Sequence, residues 1–165
     1  MTSFRKLMAA AAITALFATP ALAGPEVNTA TGVVLVDGKP APGLAVHGFD
    51  VVAYFKQGMP VQGDAKFAAV HKDATYRFAT QENRDEFKRN PDKYAPAYGG
   101  YCAYGVAVGA KFDGDPRFWK IVDGTLYLNL STDIQQAWNK DIPGNIKKAE
   151  ANWPKLEKKL PSEIK

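Results

Sequence analysis

At 165 residues, with 46% hydrophobic and 23% charged side chains, the chain suits one compact domain with its own core and excludes a disordered polymer. The net charge of +4 is modest, and nothing else in the chain supports nucleic-acid binding. A single cysteine, Cys102, excludes an internal disulfide.

Residues 1–23 read as a secretory signal peptide. Arg5 and Lys6 make a basic start, and Leu7 to Phe17 is an uncharged run too short to cross a bilayer comfortably. Ala21-Leu22-Ala23 fits a small-x-small cleavage pattern. The expected destination is the periplasm or the exterior, with no membrane span left once the signal is removed. Loss of Arg5 and Lys6 also reduces the positive excess. The crowd of Lys147, Lys148, Lys155, Lys158 and Lys159 reads as a solvated helix face.

Residues 24–43 read as an extended arm carrying a short strand or hairpin, with Val33 to Val36 ending at Asp37-Gly38. A single domain is expected over 44–160. Asp50 is placed to cap a helix through Phe55, which Gly58 and Pro60 stop. Phe67 to His71 and Thr75 to Ala79 predict two short strands, with His71 solvated at the turn. Thr80 caps the next helix, whose buried side carries Phe87 and which ends at Asn90-Pro91; Pro91 to Tyr94 adds a short turn. Tyr101 to Val108 reads equally as a short buried helix or an irregular segment. Asp123-Gly124 between two apolar runs is a strong hairpin signal, because both turn positions need positive φ. Ser131 or Thr132 caps a helix through Trp138. Ile142 to Leu160 reads as mainly helical with Ile146, Ala149, Trp153 and Leu156 on one face, kinked or split at Pro154. No internal repeat is read. The expected fold class is α+β: small antiparallel hairpins with several short helices packed on them.

Several of these segments together resemble a known family. They are Gly48 to Phe55, Thr75 to Ala79, Asn83 to Phe87, Asn90 to Tyr94, Tyr98 to Ala103, and the tail with Asp123 to Asn129. In this order they look like a stand-alone exported YHS domain, over about residues 45 to 155. The resemblance implies a treble-cleft-like core and a role in binding a transition metal. It also implies cysteine ligands where this chain has Ala53 and Ala79, and a third near Asn83; alanine has no donor atom.

A metal site would therefore need other residues. Thiolate and imidazole favour late transition metals, copper first. Cys102, His47 and Asp50 form the candidate set, if the Tyr98 to Ala103 segment packs against His47-Gly48-Phe49-Asp50. Each has a plainer reading: Cys102 as a buried small hydrophobe, His47 as a loop histidine, Asp50 as a helix cap. No HExxH, CxxC, CxxCH, P-loop or GxSxG motif is present, and no catalytic residue is assigned. The leading expectation is an exported protein that carries or sequesters copper. The alternatives are a structural or partner-binding domain that has lost its metal ligands, with a periplasmic protein as partner, and a redox-active thiol protein using Cys102.

Overall fold

The computed structural model describes residues 26–29 and 32–164. The proposed signal peptide lies outside the described residues. Among those residues the fold is α+β: three two-stranded antiparallel sheets and six helices. No helix among them is long and apolar enough to cross a membrane.

The first sheet is a hairpin of β1 (Val34–Val36) and β2 (Lys39–Ala41), turned by Asp37 and Gly38, both at positive φ. The segment before it is held on the domain, since Val27 is buried and the Asn28 N–H donates to the Gly99 carbonyl. A 3-10 turn at Val46–Gly48 leads into α1 (Val51–Lys56). The hairpin β3 (Asp64–His71) and β4 (Ala74–Phe78) follows, then α2 (Gln81–Arg89) and α3 (Pro91–Tyr94). A second 3-10 turn at Ala97–Gly100 leads into α4 (Ala103–Ala107), which resolves the ambiguous Tyr101 to Val108 stretch as a short helix. The hairpin β5 (Asp115–Val122) and β6 (Thr125–Asn129) precedes α5 (Thr132–Asn139) and α6 (Ile142–Leu156). Helix α6 is not split at Pro154. The proline falls in its last turn, where a missing N–H and a ring clash disturb little that follows.

Both main hairpins feed one core. Tyr76 and Phe78 of β4 pack with Val51, Val52 and Tyr54 of α1, Phe87 of α2, and Leu126 and Leu128 of β6. Trp138 is fully buried against Tyr127, and Trp153 packs with Tyr98 and Tyr101. The three tryptophans are thus packing residues, Trp119 lying edge-on to Tyr54 at 5.1 Å. His71 is not solvated as expected: its ring stands edge-on to Phe87 at 5.9 Å, in a mostly buried side chain.

The expectation of no internal repeat is corrected by the strand register. In the first hairpin Asp64 pairs with Phe78 and, after a bulge, Ala68 with Arg77; in the second Asp115 pairs with Asn129 and, after the same bulge, Trp119 with Leu128. One shift of 51 positions, Asp64 to Asp115, carries every pair of the first hairpin onto the second. The same shift carries the cap Thr80 to Ser131, the cap Asn90 to Asp141, and buried Phe87 to buried Trp138. Gly63 maps to Gly114, and both are obligatory. A Cβ on Gly63 would lie 2.5 Å from the Arg77 carbonyl carbon, and one on Gly114 would lie 2.2 Å from the Gly100 oxygen. Upstream the correspondence continues one residue out of step. Val46, His47 and Gly48 match Tyr98, Gly99 and Gly100, all at positive φ, and the α1 cap Asp50 matches the α4 cap Cys102. Residues 46–94 and 98–145 are thus two equivalent halves of the domain.

Candidate functional site

Each half places a capping side chain under the end of its second strand. In the first half that side chain is Asp50, fully buried. Its Oδ1 accepts N–H groups from Val52 at 2.8 Å and Ala53 at 3.2 Å. Its Oδ2 accepts the Ala79 N–H at 2.8 Å and the Asn83 amide at 2.7 Å. A carboxylate offers about four acceptor positions, so Asp50 is saturated. The positions where the YHS resemblance implies metal ligands, Ala53, Ala79 and Asn83, all converge on this carboxylate. It fills the space between them with hydrogen bonds.

In the second half the equivalent side chain is Cys102, 1% exposed. Its sulfur accepts the Gly105 N–H at 3.4 Å, and the backbone N–H groups of Leu130 and Tyr104 also bear on it. These three donors are the counterparts of Ala53, Ala79 and Val52. The thiol faces the Asn129 Oδ1 at 3.8 Å, and that oxygen also accepts the Tyr104 N–H at 3.3 Å. Burial pushes the Cys102 thiol above its ordinary pKa; the three N–H groups pull it back in part, and the Asp113 carboxylate adds to the rise. The resting group is a neutral thiol.

Asn129 is fully buried, and it stands where the first half has Phe78. With its Oδ1 committed to the Tyr104 N–H and the thiol, its Nδ2 has no hydrogen-bond partner. A buried unpaired amide donor is costly, about 1–3 kcal/mol, and so is unusual in a position that a phenyl ring could occupy. Beside it Cys102 lines a cavity of about 280 Å³ with Tyr104, Gly105, Val108, Phe112, Leu130 and Ile134. Val108, Phe112 and Leu130 on this lining are exposed apolar side chains.

His47 is drawn elsewhere. It sits at φ 50° between Val46 and Gly48, also at positive φ, and its Nε2 meets both carboxylate oxygens of Asp113 at 2.9–3.0 Å. The Asn28 amide donates to the same carboxylate. The expected convergence of Cys102, His47 and Asp50 is therefore not found. Asp50 is enclosed by its four donors and His47 is paired with Asp113. Among the described residues no three His, Cys, Asp or Glu side chains are grouped to hold a metal ion.

No family model, curated protein or solved structure matches the chain.

Sequence reasoning singled out Cys102 and the capping role of Asp50, and missed Asn129 and Asp113. The signal for Asn129 was an amide in an otherwise apolar strand, at a position whose partner in the first half is phenylalanine. Nothing local marked Asp113, because its partner His47 is distant in sequence.

Proposed function

We propose that this chain is an exported thiol protein in which Cys102 is the working group, taken to a mixed disulfide or a sulfenic acid and returned to the thiol by an external reductant. One observation carries the reading. The Cys102 sulfur occupies a nest of backbone N–H groups equivalent to the one that, in the other half, holds the carboxylate of Asp50. Such a nest suits an anion, and the thiolate is the reactive form of cysteine. The neighbouring cavity, which Cys102 lines, is the route by which a reactant would reach the sulfur. Burial keeps the group protonated at rest. A thiolate of high pKa is the stronger nucleophile once its proton leaves. The signal read over residues 1–23 agrees with this chemistry, since an oxidising compartment supplies disulfides and peroxides to a lone thiol.

Copper capture, the reading that the family resemblance carries, finds one soft donor here, Cys102, because Asp50 and His47 are engaged elsewhere. A partner-binding role draws on the exposed apolar rim of Val108, Phe112 and Leu130. One preparation separates the three. Reduced protein is treated with dipyridyl disulfide under native conditions, and released pyridinethione is followed. The thiol reading expects full reaction at unchanged circular dichroism, and none in Cys102→Ser. A thiol that reacts only after unfolding overturns it. Stoichiometric copper retained through desalting, and lost in Cys102→Ser, would favour the metal reading instead.

A further inference from the structure

We infer that the oxidant matched to this site is an organic hydroperoxide with an apolar substituent, and that Asn129 holds the resulting sulfenic oxygen. The inference rests on the thiol reading above and names its substrate class. Two observations carry it. The first is the cavity, in which the lining side chains beyond Cys102 and Gly105 are aliphatic or aromatic: Tyr104, Val108, Phe112, Leu130 and Ile134. A space of about 280 Å³ takes a small hydrocarbon group, and no ionised side chain lines it. The second is the Asn129 amide. Its Oδ1 receives the thiol and the Tyr104 N–H, which leaves Nδ2 a buried donor with no partner in the reduced protein. An oxygen added to the Cys102 sulfur on its Asn129 side would supply the acceptor that Nδ2 lacks.

The step balances. The Cys102 sulfur attacks the terminal oxygen of ROOH, the S–O bond forms and the O–O bond breaks. The departing RO⁻ takes the proton released from the thiol and leaves as ROH; Cys102 ends as the sulfenic acid. The sulfur is oxidised by two electrons and the hydroperoxide is reduced by two. An apolar R group rests in the cavity and holds the peroxide against the sulfur. Hydrogen peroxide has no group to place there.

The test compares cumene hydroperoxide with hydrogen peroxide on the reduced protein, trapping sulfenic acid with dimedone and locating the adduct by peptide mass spectrometry. Cumene hydroperoxide is expected to consume Cys102 at least about tenfold faster, the gain from burying a few methylene equivalents. Leu130→Gln, on the exposed rim, should slow cumene hydroperoxide more than hydrogen peroxide and bring the ratio towards one. Asn129→Leu should lower the dimedone adduct yield severalfold; if that variant does not fold, the rim variant carries the test. A hydrogen peroxide rate equal to or above that of cumene hydroperoxide, or no dimedone adduct, overturns this inference. The thiol reading survives that outcome if dipyridyl disulfide still reacts. No reaction with either reagent overturns both.

Discussion

Asp50 and Cys102 occupy equivalent places, yet one is enclosed by hydrogen-bond donors and the other lines a cavity. Four donors close around the Asp50 carboxylate. Replacing Asp50 with alanine strands Val52, Ala53, Ala79 and Asn83 donors in a buried site. The expected loss is about 3 kcal/mol or more, since each unpaired buried donor costs about 1–3 kcal/mol; urea denaturation measures it. A loss under about 1 kcal/mol, ordinary for an exposed cap, would show that the carboxylate is not the hub described. The capping role was legible in sequence because it is local: an aspartate directly before an apolar run. The pairing of His47 with Asp113 was not legible, since it depends on the Tyr101–Asp113 bridge bringing a distant segment beside the first 3-10 turn. Nor was the occupation of the implied metal positions, which needs the end of β4 and the start of α2 to meet the start of α1.

At the level of elements, the end of α6 is fixed by a buried amine. Lys111 is 5% exposed, and its Nζ donates to the Glu157 and Lys159 carbonyls while lying over the Tyr101 and Trp153 rings. Desolvation lowers its pKa from 10.5 to about 8, against the pull of the Glu157 and Glu26 carboxylates. The sign of the pH effect follows from linkage. Below about pH 8 the amine is charged in folded and unfolded chains alike. Between about 8 and 10.5 the unfolded chain binds the extra proton, so this group's contribution to stability rises with pH. Thermal unfolding of wild type and Lys111→Met across that range should show the wild type gaining relative to the variant as pH rises. A constant difference would mean that Lys111 titrates as an exposed lysine does. Hairpins and caps were readable because Asp123-Gly124, Thr80 and Ser131 carry their own turn and cap chemistry. The state of α4 was not, because Gly105 within it disfavours helix and only packing against α6 and β6 decides the matter.

At the scale of the molecule, residues 46–94 and 98–145 follow one repeated plan and share a core, and this governs what the site can do. The repeat escaped sequence reading for a physical reason. The unit constrains glycines at close approaches, caps and the pattern of buried positions, but not residue identity: Phe87 is matched by Trp138, Thr80 by Ser131, and the Lys72-Asp73 turn by Asp123-Gly124. Equivalence of the two nests predicts that Cys102→Asp folds, with the new carboxylate taking the N–H groups that serve Asp50 in the first half. Cooperative melting close to wild type is expected, and a chain left unfolded would show that the nests differ. The central claim concerns the remaining difference, a thiol in an anion nest beside an apolar cavity. Its most direct test is the pH–rate profile of native Cys102 with dipyridyl disulfide, read alongside circular dichroism. The account predicts complete reaction of the folded protein, with a rate that keeps climbing about tenfold per pH unit past the ordinary thiol pKa, because burial holds the proton on. A sulfur that stays unreacted until the fold is lost would contradict it.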